Sequence, residues 1–291
     1  VYDISVKGGG TLPQPSLFPC YCVTQYTTQL QYLTCLCSLI LIHMTLLLLT
    51  IIVVFIGATN SQPSSIAVST WAFTTATDAA WAEMHNRSDA KAVDLVQAGC
   101  AACEQNRCDG TVGEGGSPDE NGETTLDAMI MCGTTMNAGA VGALRQIPDA
   151  IAVARGVMEA TRHSMLCGSQ ASDFAEITLG MARQSLSSEQ SKAIYNRWRN
   201  DFQCQPNFWS TTANLTPQSS IACGPYKLLA ESAFECGHPE RTYTTHDTIS
   251  MVAIYKGDVA SATSTNGASH KIAGRVGDGP IIGSVTFLTI Y

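Results

Sequence analysis

The sequence predicts a mixed fold, α+β or α/β. Short runs rich in apolar and β-branched residues, at 66–71, 124–131, 249–254 and 259–265, read as strands. Between them lie stretches with helical spacing or helix-start signals, at 78–85, 89–103, 148–163 and 187–198. The 291 residues, 45% hydrophobic and 14% charged, supply enough apolar side chain for a sizeable core in one domain or two. A formal charge of −8 with no cluster of Lys or Arg argues against a nucleic-acid partner. Twelve cysteines favour an oxidising compartment.

Residues 1–43 do not read as folded protein: residues 1–35 carry no amphipathic period, and the first Met is Met44. From there an apolar run, Leu46 to Ile56, ends in Gly57-Ala58-Thr59-Asn60-Ser61, the length and ending of a secretory signal. The expected division is a non-native extension at 1–43 and a signal peptide at 44–61. The competing reading is a membrane anchor, because the whole apolar run 36–57 is long enough to span a bilayer.

The first strand, 66–71, ends at Trp71, whose large ring reads as a core side chain. Two helices follow, the second with Ala92, Val93, Leu95, Val96 and Ala98 on overlapping faces. Cys100-x-x-Cys103 is not a zinc site, since no matching Cys/His pair follows at finger spacing. The glycine-rich stretch at 109–120 lacks the lysine and spacing of a phosphate loop. Residues 124–131 read as a buried strand. Pro148 is expected in the first turn of a helix reaching about His163. Ser187-x-x-Gln190 is expected to box the start of a helix reaching about Trp198. The Ser/Thr/Pro-rich stretch 210–245 reads as an exposed loop. Asn86-Arg87-Ser88 and Asn214-Leu215-Thr216 are glycan acceptor patterns, useful if the chain is secreted.

The chemistry concentrates at Thr245-His246-Asp247-Thr248-Ile249. An Asp side chain strains or attacks its own C-terminal peptide bond, and the hydroxyl of the next residue can attack the same carbonyl. If that bond breaks, Thr248 gains a free α-amine, which serves as general base for its own hydroxyl. Gly257-Asp258 is expected to close a hairpin, placing Ser250 opposite Thr265. Thr265 is then a same-face diagonal neighbour of Thr248, at about 5–8 Å. The loop at 274–280 offers Arg275 and Asp278, a cation and an anion that can grip the carboxylate and ammonium of an amino acid. The alternative is a mutual surface salt bridge.

His246-Asp247-Thr248-Ile249, Thr263-Ser264-Thr265-Asn266-Gly267 and Gly274-Arg275-Val276-Gly277-Asp278 resemble the glycosylasparaginases, N-terminal-nucleophile hydrolases of the asparaginase-2 superfamily. The resemblance covers roughly Ser69 to Gly283. It implies an α+β fold in the form of a four-layer αββα sandwich. It also implies self-cleavage between Asp247 and Thr248, with an α-chain part at 62–247 and a β-chain part at 248–291. The implied substrate is asparagine bearing N-acetylglucosamine, with Thr248 as nucleophile and Thr265 orienting its hydroxyl. Arg275 and Asp278 would hold the substrate, Trp71 would line the pocket and Thr111 would support it. Disulfides are implied for Cys103 with Cys108 and Cys204 with Cys223. No cofactor or metal is implied. The implied setting is a lysosomal or secreted α/β heterodimer that pairs into a larger oligomer, with no membrane span left after signal removal.

This chain has Ser250 where the family has Gly, and Cys132 where it has Asp. The family continues past Gly-Pro-Ile with a Gly/Ala-rich segment and a Thr-Gly-Asn-Gly-Asp run that builds an oxyanion hole. These 291 residues instead end in Gly283-Ser-Val-Thr-Phe-Leu-Thr-Ile-Tyr291, so the sequence is expected to be incomplete there. The alternatives are an asparaginase or isoaspartyl peptidase of the same superfamily, and a non-catalytic relative.

Overall fold

The computed structural model describes residues 65–205, 207–209, 215–217, 223–228 and 248–286. The expected extension, the signal peptide or anchor, and Asp247 lie outside them. Among the described residues no helix is long and apolar enough to cross a membrane.

The elements run β1 Ser65–Ser69, α1 Thr74–Asn86, α2 Ala92–Asn106, a 3₁₀ turn Cys108–Gly110, β2 Leu126–Cys132, β3 Ala138–Leu144, α3 Ala150–Ala160, β4 Met165–Cys167, α4 Gly168–Leu179, α5 Glu189–Asn200, β5 Leu215–Pro217, β6 Tyr226–Leu228, β7 Ile249–Tyr255 and β8 Asp258–Thr265. The class is mixed α+β. Six strands form one sheet in the order β1-β7-β8-β2-β3-β4, antiparallel except for the β3–β4 pair. Strands β5 and β6 pair separately, so part of the expected loop at 210–245 is a small antiparallel ribbon.

Strand periodicity sorts the sheet's two faces. Leu126, Ala128 and Ile130 of β2, Ile249, Met251 and Ala253 of β7, and Ala260 and Ala262 of β8 join one core with Leu95, Val96, Ile151 and Val157 of the helices. Gly139 lets α3 come down onto β3: a methyl there would run into the backbone at Ala154 and Met158. On the opposite face Met129, Met131 and Ala140 make a second, smaller apolar cluster. That face also receives Asp127, Thr263 and Thr265, the side chains that alternate with the core set.

Three local expectations shift. Helix α3 begins after Asp149, so Pro148 precedes the helix and does not occupy its first turn. Helix α5 is boxed by Ser188 and Ser191 rather than Ser187 and Gln190. The Ser188 hydroxyl accepts the Ser191 N–H at 3.1 Å, and the Ser191 hydroxyl accepts the Ser188 N–H at 2.8 Å. The β7–β8 hairpin turns at Lys256-Gly257, whose φ angles of 51° and 85° are the paired positive values a tight two-residue turn needs. The turn is one residue earlier than Gly257-Asp258, so Ser250 faces Thr263 and Ile249 faces Ser264.

Candidate active site

Continuing the β7–β8 register by one step puts Thr248 directly opposite Thr265, not diagonal to it. Thr248 precedes β7 and is half-buried; Thr265 closes β8 and is buried. The loop that follows β8 folds back over this pair. A Cβ on Gly279 would lie 3.4 Å from Thr265 Cγ2 and 3.6 Å from Thr248 Cγ2, so both side chains meet the same loop from the same face. The Thr263 hydroxyl ties that loop down by donating to the Gly279 carbonyl at 2.6 Å.

Thr265 is held from behind. Its hydroxyl donates to the Thr111 carbonyl at 3.3 Å and accepts the Gly267 N–H at 2.9 Å. The Thr111 carbonyl also accepts the Asn266 N–H at 2.7 Å. Thr111 therefore meets Thr265 and Asn266 through its backbone carbonyl, while its hydroxyl donates to Asp109. A disulfide joins Cys103, near the end of α2, to Cys108 in the turn that leads to Thr111. A second joins Cys204 to Cys223.

Arg275 packs over two glycines: a Cβ would stand 3.0 Å from its Nη1 at Gly267 and 2.8 Å at Gly277. Asp278 is exposed, and among the described residues no ion pair joins it to Arg275. The mutual salt bridge is thus not formed. Trp71 is 54% exposed, which removes the core reading. It has a φ of 60° and directly follows Thr70, whose hydroxyl meets both Thr248 and Ser250.

Three supporting groups went unread in the sequence. Asp127, 2% exposed, accepts the Ala143 N–H at 2.7 Å and the Gly277 N–H at 3.0 Å, joining β3 to the Arg275 loop. A carboxylate inside the apolar run Leu-Asp-Ala-Met-Ile-Met was the available signal, since a buried charge must be partnered. Lys271 is buried, and its ammonium donates to the Asn266 carbonyl at 2.6 Å. Burial lowers its pKa to about 8, with Asp127 opposing and Arg275 reinforcing that shift. Glu104 is buried where α2, α3 and β8 meet. Its Oε1 accepts the Ser264 hydroxyl at 2.6 Å and the Ile151 N–H, an orphan donor at the start of α3, at 3.0 Å. Burial raises Glu104 to about 8, against those two hydrogen bonds. Next to Lys271, His270 stacks on Trp198 at 4.4 Å, and burial lowers it to about 4.

A family model described as Asparaginase matches residues 48–289. The N(4)-(beta-N-acetylglucosaminyl)-L-asparaginase of Mus musculus is 47% identical over 247 residues, 83% of this chain and 69% of that protein. The protein of that name from Rattus norvegicus is 49% identical over 231 residues, 77% of this chain and 64% of that one. A probable isoaspartyl peptidase/L-asparaginase 3 of Arabidopsis thaliana is 45% identical over 245 residues, 78% and 66%. The chain thus spans about two thirds of the length of these relatives.

Proposed function

The chain belongs to the asparaginase family whose model it matches, and on that footing we propose that it is a threonine amidohydrolase cleaving the bond between N-acetylglucosamine and the side-chain amide of asparagine. The observation that carries this reading is the position of Thr248. It stands at the start of a strand, opposite Thr265, under the loop bearing Arg275 and Asp278. In the precursor the Thr248 hydroxyl attacks the Asp247 carbonyl carbon. The peptide C–N bond breaks, and water hydrolyses the resulting ester. This leaves an Asp247 carboxyl and a free Thr248 α-amine. An α-amine has an ordinary pKa of about 8 and is a competent base near neutrality.

In turnover the same hydroxyl gives its proton to that amine and attacks the substrate amide carbon. The glycosylamine leaves with a proton, and water hydrolyses the β-aspartyl ester to aspartate. Arg275 takes the substrate α-carboxylate and Asp278 its α-ammonium. The absence of an ion pair between them supports this, since each is left with charge to offer a ligand. Trp71, exposed beside Thr70, flanks the entrance. The name of the Arabidopsis relative gives weight to a second reading, hydrolysis of β-aspartyl peptides.

In the finer architecture of this reading, a second sheet covers the face of Met129, Met131 and Ala140, completing four αββα layers. A signal at 44–61 directs the protein to a lysosomal or secreted setting, where the two cut pieces stay paired as an αβ unit that assembles further.

The test is N-terminal sequencing of the expressed protein together with paired assays on N-acetylglucosaminyl-asparagine and a β-aspartyl dipeptide. Wild type is expected to yield a chain starting at Thr248 and to favour the glycosylated substrate. Thr248→Ala should stay in one piece and be inactive; Thr248→Ser should cut more slowly. An Ala variant cut like wild type would refute the threonine mechanism. A preference for the dipeptide would move the chain to the second reading.

A further inference from the structure

Strand β1 ends at Ser69, opposite Met251 and three register positions short of Thr248. In a continued ladder the Thr70 backbone would both donate to and accept from Ser250. Only half of that happens. The Thr70 N–H donates to the Ser250 carbonyl at 2.9 Å. The Ser250 N–H instead donates to the Thr70 hydroxyl oxygen, at 2.9 Å. The reason is the next residue: Trp71 takes a φ of 60°, and the chain leaves the sheet there. The Thr70 hydroxyl fills the gap and reaches one residue further, donating to the Thr248 carbonyl at 3.1 Å. One side chain, 178 positions upstream, thus spans the two peptide groups on the C-terminal side of Thr248.

We infer that Thr70 is the positioning residue of the Thr248 nucleophile, its hydroxyl serving as the last rung of the β1–β7 ladder. This rests on the reading of Thr248 as nucleophile. The need is physical. Once the chain is cut, Thr248 is a terminal residue, and terminal residues of strands fray unless tied down. Loss of the upstream tether leaves its backbone free to turn and swing the hydroxyl away from the Thr265 side. Fixing the Thr248 carbonyl and the Ser250 N–H holds the strand direction, and with it the Cα–Cβ bond that aims the hydroxyl. In the precursor the same two bonds hold the C-terminal side of the scissile unit still while the bond before it reacts. The hydroxyl is required because it donates and accepts at once. Serine can do both; valine, of nearly the same shape, can do neither.

The experiment follows precursor conversion over time in the full-length protein for wild type, Thr70→Ser, Thr70→Val, Thr70→Ala and Thr248→Ala, with a thermal midpoint for each. Cleavage is expected to slow roughly ten- to thirtyfold in Thr70→Val and Thr70→Ala, as the loss of two hydrogen bonds implies. Thr70→Ser should cut within about threefold of wild type, and the midpoint of the Val variant should fall by no more than about 4 °C. In the matured enzyme kcat should drop in Thr70→Val with KM unchanged. Thr70→Val and Thr70→Ala both cutting at the wild-type rate, or Thr70→Ser as slow as Thr70→Val, would overturn the inference while leaving the nucleophile in place. Wild type uncut before Thr248, or Thr248→Ala cut, would instead remove the nucleophile reading on which it rests. Thr70→Ala decides the matter if the valine variant fails to fold.

Discussion

Asp127→Ala is expected to lower the thermal midpoint by on the order of 10 °C and to cost the site its grip on a substrate carboxylate. The side chain is buried, and two backbone N–H groups point at it, from Ala143 and Gly277. Alanine leaves both donors without an acceptor, at about 1–3 kcal/mol each. Each kcal/mol is worth about 2–4 °C in a domain of this size. Ala143 adds to the loss, because its φ of 47° is held in place partly by that bond. Gly277 sits between Arg275 and Asp278, so its release should raise KM for an amino-acid substrate more than it lowers kcat. Asp127→Asn keeps one acceptor oxygen and should fall between. Circular-dichroism melts beside substrate titrations measure both effects. An unchanged midpoint in the alanine variant would show that water reaches the two N–H groups.

The larger effect is on pH. Glu104 titrates at about 8 in the folded protein and near its ordinary value of 4.5 when unfolded. Between those values the folded state holds one proton more than the unfolded chain, so stability contributed by Glu104 is complete below about 4.5 and lost as pH rises through 8. His270, lowered to about 4 from 6.5, acts oppositely: it favours the fold above 6.5 and loses that contribution as pH falls towards 4. Lys271, lowered to about 8 from 10.5, opposes folding while charged, and that opposition fades above 8. The slopes from Glu104 and His270 cancel between about 4.5 and 6.5. Of these three groups, Glu104 acts alone above 6.5 until Lys271 begins to titrate.

Stability is therefore expected to be level from about pH 4.5 to 6.5, to fall by about 2 kcal/mol towards pH 8, and to recover beyond it. Glu104→Gln mimics the protonated acid and should erase the fall. The stability difference between the two proteins should change by on the order of 4–5 kcal/mol from pH 4.5 to 8. Denaturant titrations at four or five pH values test this. Parallel curves for the two proteins would mean that Glu104 is ionised in the fold. A plateau on the acid side suits the lysosomal setting proposed above.

What could be read in the sequence was whatever depends on near neighbours. The apolar alternation of β7 and β8 and the Gly-Arg-Val-Gly-Asp loop are local patterns, and they drew attention to Thr248, Thr265, Arg275 and Asp278. The register was not legible, because Lys256-Gly257 and Gly257-Asp258 are both plausible two-residue turns and only the φ angles choose between them. Nor could Thr70, Asp127 and Glu104 be assigned roles: their partners lie 178, 150 and 160 positions away. Asp127 at least carried a local signal, a charge in an apolar strand, although it went unread. Thr70 stood out in no way, since its task arises from where β1 happens to stop.

The strand order has a consequence for what the molecule becomes if it is cut before Thr248. Strands β7 and β8 lie downstream of that point, yet they sit between β1 and β2, both from upstream. The downstream piece would contribute β7 and β8 to this sheet as a pair held along both of its edges by strands of the upstream piece. Separating the pieces would then require tearing two full ladders at the centre of the sheet, and neither piece would retain the core they share. Unfolding would change molecularity. A single chain comes apart in a first-order step with a midpoint independent of concentration, whereas the cut protein reassembles from two bodies and is steadier the more concentrated it is. Processing would thus convert a fold that can be regained after damage into one that, once its halves drift apart at low concentration, stays lost.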